Sequence, residues 1–353
     1  MEPKHFDFDS SRIKAYSGYY SDSQKLKRSA SGGVAGALSE LVIQKGGAVF
    51  GVRYTADFRG AEYACAQTLD ELEPLRGSKY IDSSRQILWN GERVSVYAVV
   101  EEMLKNGRDV LFFGLGCTVA ALYSLLDSHG VDTANLYTIE LLCHGPTPAK
   151  VAELYLEGLE KKYGGKIVDF SVRYKKKGWV PPYLHAVFDN GKVYDAPFYS
   201  TDYGYAFSLY SKKGCYQCHF RGDNHKGDLT VGDYWGMTPA MEGYNPNGVS
   251  IILTQTEKGE SLLASLSPEV FPLREADLTL ALQHNRYYYK QRKQNAKWDA
   301  FDKALATRGL AAACLQAEGK AKYWLRRSQL TTRLAAVMPA GLKQSLKKVL
   351  GRK

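Results

Sequence analysis

Cys215 and Cys218 stand three residues apart in the polar stretch SKKGCYQCHFRGDNHKGDLTVGDYWG, residues 211–236. Two aspartates, Asp228 and Asp233, flank the short apolar run that follows. Two further cysteines, Cys117 and Cys143, come just after the apolar runs VLFFG and TIELL and just before segments with helical spacing. This puts both at the carboxyl ends of strands, where α/β folds gather ligands. A thiolate there is favoured by the positive end of the helix dipole and by free backbone N–H groups. Four thiolates converging on one point suit a tetrahedral zinc or an iron–sulfur cluster, and unligated thiols are the third reading. Structural zinc ribbons usually offer two C-x-x-C knuckles, whereas here one pair meets two single cysteines 26 residues apart. The tertiary fold must therefore assemble the site. A thioredoxin-like role is disfavoured, because that motif opens a helix while HFRGDNHKGD continues as loop into a strand. Cys65, in the alternating AEYACAQ, and Cys314, in the Ala-rich GLAAACLQA, read as buried filler.

The elements that must position these thiols follow from punctuation and period. SASGGVAGALSELVIQKGGAVFGVRY reads as serine caps, a helix with apolar residues at Val34, Ala37, Leu38, Leu41 and Val42, a stop at Gly46-Gly47, and a strand. The unit recurs in VVEEMLKNGRDVLFFGLGCTVAALYSLLDSHG, as helix, strand, glycine-rich turn and helix. A third follows as strand NLYTIELL, turn CHGPTP, helix AKVAELYLEGLEKKYGG and strand KIVDFSVRYK. This alternation predicts an α/β fold with a largely parallel sheet. From residue 175 the paired prolines and the Asp189-Asn190-Gly191 signal predict an antiparallel hairpin insert. GVSIILTQTEKGESLLASL adds a strand and a helix, and residues 295–328 read as closing helices.

With 353 residues and 44% hydrophobic content, the chain can bury two ordinary cores. No run approaches the roughly 20 apolar residues of a membrane span, and the N-terminus lacks the apolar core of a signal peptide. These features predict a cytoplasmic protein. Six cysteines in a large chain of a reducing compartment argue for metal or redox roles over disulfides. The net charge of +10 is local: residues 319–353 hold ten Lys or Arg and no acid, and the remaining basic residues equal the 37 acidic ones in number. A nucleic-acid partner is not expected, because duplex binding spreads phosphate contacts over a folded face. In the tail, Leu342, Leu346, Val349 and Leu350 recur at helical spacing beside Lys343, Lys347 and Lys348. Such a basic amphipathic segment can rest on an anionic membrane surface, which would place the protein at the inner face of the membrane.

CYQCHF followed by GDLTVGDYWG, with LLCHGPTP, FFGLGC, GSKY and the SASGG helix start, resembles the coenzyme F-420 hydrogenase/dehydrogenase beta-subunit family over about residues 14–260. The resemblance implies a flavoprotein carrying FAD and a 4Fe-4S cluster, an oxidoreductase passing electrons between iron–sulfur carriers and a hydride-accepting cofactor or substrate. It places the cluster on Cys117, Cys143, Cys215 and Cys218. The family usually reads Gly-Thr-Pro-Cys where this chain has Gly114-Leu115-Gly116-Cys117. Many bacterial relatives begin with a ferredoxin-like segment bearing additional clusters. No cysteine precedes Cys65 here, so the expectation is a bacterial member without that segment, fed by an external ferredoxin-type donor. The resemblance also suggests a glycan-precursor substrate in cell-surface polysaccharide biosynthesis.

For FAD, the helix start at Ser31-Gly32-Gly33 can present backbone N–H groups to a pyrophosphate, with Ser29 and Ser31 as caps or phosphate ligands. In Gly77-Ser78-Lys79-Tyr80, Lys79 could neutralise phosphate, unless it is an exposed surface charge, and Tyr80 could lie along the flavin. Of the two aspartates, one is expected to pair with a basic residue. Asp233, between Gly232 and the aromatics Tyr234 and Trp235, is expected to accept from a ribityl or ribose hydroxyl. His144, His219 and His225 lie beside the cysteines, and none is assigned as a catalytic acid. The expected division is a flavin-binding α/β region at 1–174, a hairpin and cysteine-loop region at 175–260, a helical region at 261–328 and the basic tail at 329–353. The rival reading is a non-catalytic, zinc-stabilised or cofactor-less scaffold of the same fold.

Overall fold

A computed structural model of the chain describes residues 11–329, so the membrane-binding segment read at Leu342 to Leu350 lies outside the described residues. In chain order, β1 (Lys14–Gly18) and α1 (Ser23–Arg28) precede α2 (Val34–Gln44), β2 (Ala48–Tyr54) and β3 (Ala61–Ala66). The short hairpin of β4 (Gln86–Trp89) and β5 (Glu92–Ser95) leads into α3 (Val96–Lys105), β6 (Val110–Gly114), α4 (Gly116–Ser128), β7 (Leu136–Leu141) and α5 (Ala149–Tyr163). Next come β8 (Ile167–Tyr174), β9 (Tyr183–Phe188), β10 (Val193–Pro197), α6 (Asp202–Leu209) and β11 (Leu229–Asp233). The chain continues through β12 (Ser250–Thr254), α7 (Glu257–Ala264), β13 (Leu273–Glu275) and α8 (Leu278–His284), and α9 (Trp298–Arg308), α10 (Leu310–Glu318) and α11 (Lys320–Arg327) close it.

The main sheet has eight strands in the order β13-β1-β12-β11-β7-β6-β2-β3. Its centre, β2, β6, β7 and β11, is parallel, and the flanking strands pair antiparallel. The strand VLFFG is apolar throughout because both faces are covered. Leu111 joins a core with α2 and α7, whereas Val110 and Phe112 join one with α3 and α4. The helix-to-strand reading at Gly46-Gly47 holds. Gly46 takes a φ of 83°, and the Gly46 and Gly47 N–H groups close the last turn of α2 onto the Ile43 and Val42 carbonyls. The α/β class is as expected, with a parallel core, an antiparallel insert and C-terminal helices.

The third helix-strand unit ends differently. β8 does not extend the parallel sheet but pairs antiparallel with β9 in a separate three-stranded sheet, β10-β9-β8. A local partner wins: the Asp189-Asn190-Gly191 turn folds β10 onto β9, β9 returns on β8, and β11 takes the place beside β7. This insert packs with α5, α6, α9 and α10 into a second core containing Phe170, Leu184, Phe198, Phe207, Phe301 and Cys314. Among the described residues no helix is long and apolar enough to cross a membrane.

Candidate cysteine and cofactor site

Cys117 lies in the first turn of α4, after β6, and Cys143 follows β7, so both occupy the same edge of the parallel sheet. Cys215 lies in the 3-10 turn Lys213–Gln217, and Cys218 closes it. The fold brings these segments together. A Cβ on Gly145 would stand 2.9 Å from that of Cys215, and one on Gly116 would stand 2.9 Å from that of Phe220. Gly145 takes a φ of 104° and donates its N–H to Cys143 Sγ at 3.1 Å. Burial, and then the Cys215 and Cys117 thiols, push Cys143 up to about 12 against that hydrogen bond. Burial and the Cys117 and Cys218 thiols raise Cys215 in the same way. Cys117, Cys143 and Cys215 therefore lie near one another, with Cys218 closing the turn that carries Cys215. As they stand, no three of the described His, Cys, Asp or Glu side chains are placed to hold a metal ion.

Glu140, buried in β7, fixes the return of the cysteine loop to the sheet. Its Oε1 accepts from Lys226 N (2.6 Å) and Gly227 N (2.8 Å), and its Oε2 meets His225 Nδ1 at 2.5 Å. The other His225 nitrogen faces the Tyr288 carbonyl at 3.0 Å. Asp228 completes the anchorage, accepting from Thr138 N at 2.8 Å and from the Thr256 hydroxyl at 2.7 Å. Arg292, also buried, donates to His144 Nδ1 (3.1 Å), the His144 carbonyl (3.1 Å) and Ser208 O (2.7 Å). Burial and the Arg292 cation push His144 down to about 4, so its imidazole is neutral.

Near the cysteine segments lies a cluster of cations and aromatics. Arg173, on β8, donates to Asp233 Oδ1 (2.7 Å), to the Ala30 carbonyl (2.6 Å) and to the Tyr80 hydroxyl (3.2 Å). Trp179 also donates to Asp233 Oδ1, at 3.2 Å, and stacks on Trp235 with centroids 4.9 Å apart. Lys175 reaches the Leu26 and Ser31 carbonyls, both at 2.7 Å, and burial followed by the Arg173 charge lowers it to about 7. The Tyr80 ring stacks on Phe207 at 4.3 Å, and Phe207 meets the edge of His144 at 4.4 Å. Two ring contacts thus lead from this cluster to His144, the residue beside Cys143. Tyr80 holds a left-handed φ of 56°, a conformation costing about 1–2 kcal/mol for a residue with a side chain. The corner is pinned by the Tyr54 and Tyr203 hydroxyls, which both donate to the Lys79 carbonyl.

Several expected contacts take other forms. Ser31 does not cap α2; its hydroxyl donates to the Val249 carbonyl at 2.8 Å, and Ser29 donates to Lys25 O. Gly33, at φ 96°, occupies the cap position without a side-chain bond. Gly32 is required by packing, since a Cβ there would fall 2.2 Å from Gly18 O and 2.4 Å from Ser250 N. Lys79 is not an exposed charge. It is buried with its Nζ on the Leu75, Arg76 and Gly77 carbonyls, so its donors are spent at the end of the 3-10 turn Asp70–Leu75 rather than offered to a phosphate. Burial draws it down to about 7, while the three carbonyls favour its protonated form. Ser78 lies half-buried beside Tyr80. Both aspartates have a basic partner: Asp233 pairs with Arg173, and Asp228, bound into the sheet, lies 3.8 Å from Lys258 Nζ. The sequence reading missed Arg173, Lys175, Trp179, Glu140 and Arg292; the one local signal was the charge in the otherwise strand-like SVRYK.

Residues 107–276 match the family described as the C terminus of the beta subunit of coenzyme F420 hydrogenase/dehydrogenase. This likeness to the family covers just under half of the chain. The match takes in all four cysteines, Arg173, Lys175 and Asp233, and stops short of the Ser31 and Lys79 segments. Among solved structures, a chain of the F420-reducing NiFe hydrogenase complex from Methanosarcina barkeri is similar at 17% identity and a TM-score of 0.51, over 81% of this chain and 92% of that chain. That likeness is one of fold. No curated protein matches the sequence. Two cavities, of about 430 Å³ near Tyr123 and Lys226 and about 230 Å³ near Tyr155 and Asp202, contain none of the expected site residues.

Proposed function

We propose that this protein is an iron–sulfur flavoprotein oxidoreductase in which Cys117, Cys143, Cys215 and Cys218 hold a 4Fe-4S cluster and the neighbouring cluster of cations and aromatics holds FAD. The observation that carries the reading is the gathering of the four thiols at one edge of the parallel sheet. Their donor set fits the group: mutual repulsion of thiolates is relieved by bound iron, and the Gly145 N–H already addresses a sulfur. Arg173 and Lys175 face the single carboxylate of Asp233, a balance that leans positive and favours a phosphate-bearing ligand, and Tyr80, Trp179 and Trp235 supply ring surface. Arg173 and Lys175, like Lys79, already hold backbone carbonyls, so what they bring to FAD binding is charge rather than free donors. When bound, the cluster supplies one-electron and the flavin two-electron chemistry. The chain's own part would be to hold the thiols and keep His144 neutral, with Phe207 in ring contact with both Tyr80 and His144. A ferredoxin-type donor and a glycan-precursor substrate belong to the same proposal, and anaerobic turnover of nucleotide-sugar candidates with reduced ferredoxin tests the substrate.

The test of the cofactors is anaerobic reconstitution. Iron and sulfide should appear in near-equal amounts, and Cys218→Ala should lose most of both. FAD retention should fall in Lys175→Met. Stoichiometric zinc without sulfide would overturn the reading in favour of a zinc-stabilised scaffold.

A further inference from the structure

The strap between α8 and α9, residues 285–297, lies directly over the cysteine loop. Gln291 donates to the Cys215 carbonyl at 3.1 Å, and Arg292 reaches the His144 carbonyl. From below, Arg221 spans the Cys143 carbonyl (3.3 Å) and the Tyr287 carbonyl of the strap. Residues 284–297, HNRYYYKQRKQNAK, hold five Lys or Arg and no acid, although the chain outside its tail is balanced in charge. Arg292 is buried in structural bonds, whereas Arg286, Lys290 and Lys293 point to solvent and enter no salt bridge among the described residues. The cysteine turn adds exposed Lys212 and Lys213 to this rim, each offset by one carboxylate, Asp82 and Asp299. Cys117 is exposed.

We propose that the exposed Arg286, Lys290 and Lys293 form the docking face for an acidic electron-carrier protein that exchanges electrons at the cysteine pocket. The proposal rests on the cluster reading above and names the partner of that site. Cations concentrated where a redox centre meets solvent steer an acidic surface to that point and orient it there. Each encounter moves one electron from the reduced partner to this protein and releases the partner oxidised; no atom or proton need cross. A nucleic-acid partner fits less well, because the strap's rings are occupied. Tyr288 stacks on His225, and Tyr287 lies against the Arg221 and Arg286 guanidiniums.

The experiment measures binding of a small acidic ferredoxin, in its oxidised form, to the full chain and to Arg286→Glu/Lys290→Glu/Lys293→Glu. A control, Lys45→Glu/Lys161→Glu/Lys322→Glu, carries the same change in net charge at exposed positions, Lys45 at the C-terminal cap of α2, Lys161 on α5 and Lys322 on α11. Wild type and control should bind alike. The strap variant should bind at least about tenfold more weakly near 0.05 M salt and converge with the others near 0.5 M, where the screening length falls to a few ångströms. Iron and sulfide content should be equal in all three. Equal ferredoxin binding by the strap variant and the control overturns the proposal. So does tighter binding of a single-stranded oligonucleotide than of ferredoxin, when that binding is lost in the strap variant. Salt-dependent, strap-dependent ferredoxin binding by a protein without iron and sulfide would support the docking face while defeating the cluster reading.

Discussion

Replacing Arg173 by methionine keeps most of its volume and removes its charge. Side-chain exposures of 3% for Arg173 and 17% for Asp233 place the pair in the buried regime, where removing one partner costs about 3–5 kcal/mol, rather than the surface regime of about 0–1 kcal/mol. The bonds bear this out. Without the guanidinium, the Ala30 carbonyl loses both its donors, at 2.6 and 3.3 Å, the Tyr80 hydroxyl loses a partner, and Asp233 keeps the indole of Trp179. An orphaned buried acceptor costs about 1–3 kcal/mol, so a total near 4 kcal/mol is expected. Urea unfolding followed by tyrosine and tryptophan fluorescence should show a lower midpoint with an unchanged slope. Asp233→Asn should cost less, because the amide oxygen still accepts from Arg173. In the double variant the loss should fall short of the sum by about 0.5–3 kcal/mol, the range for groups in contact. A loss below about 1 kcal/mol in Arg173→Met, or strict additivity in the double variant, would refute a buried, coupled pair.

The pH dependence of stability should report Lys79. Its folded pKa lies near 7 and its reference value at 10.5, so across that window the unfolded chain binds the extra proton and stability rises with pH, by at most about 1.4 kcal/mol per unit. The carbonyl acceptors push the onset upward. Lys79→Met should lack this rise and should lose about 1–3 kcal/mol at neutral pH for its orphaned carbonyls; a parallel pH profile in the two proteins would contradict the burial. Gly145→Ala should both strain a φ of 104° and drive a methyl to 2.9 Å from Cys215 Cβ and 3.0 Å from Ser211 Oγ. Its iron uptake should drop well below that of Gly214→Ala, where a Cβ meets nothing within 4 Å; equal uptake would show that the cysteine turn does not need that close approach.

What was legible in the sequence was what is local or periodic. The α2-to-β2 passage is written in Gly46-Gly47, the β9-β10 hairpin in Asp189-Asn190-Gly191, and the two-sided burial of β6 in VLFFG. The strand-end positions of Cys117 and Cys143 followed from the same patterns. Partnership across the fold was not legible. Lys79 reads as surface because lysine usually is, and only the carbonyls closing a 3-10 turn give it a buried place. Arg173 finds Asp233 60 residues away, and β8 leaves the parallel sheet because β9, the next strand along the chain, competes for its edge. Composition carries neither choice.

The Glu140 anchorage bears on how the protein is made. Both ends of the cysteine loop are tied down by protein alone: α6 enters from the second core, and Glu140 and Asp228 hold the return to β11. Small metal-dependent domains spend their metal's binding energy on folding, and stripping the metal unfolds them. Here the chain has already met the entropy of closing that loop. If the chain carries the proposed cluster, its apoprotein would be a folded acceptor, able to take up iron and sulfide, lose them to oxygen, and be refilled without passing through the unfolded chain.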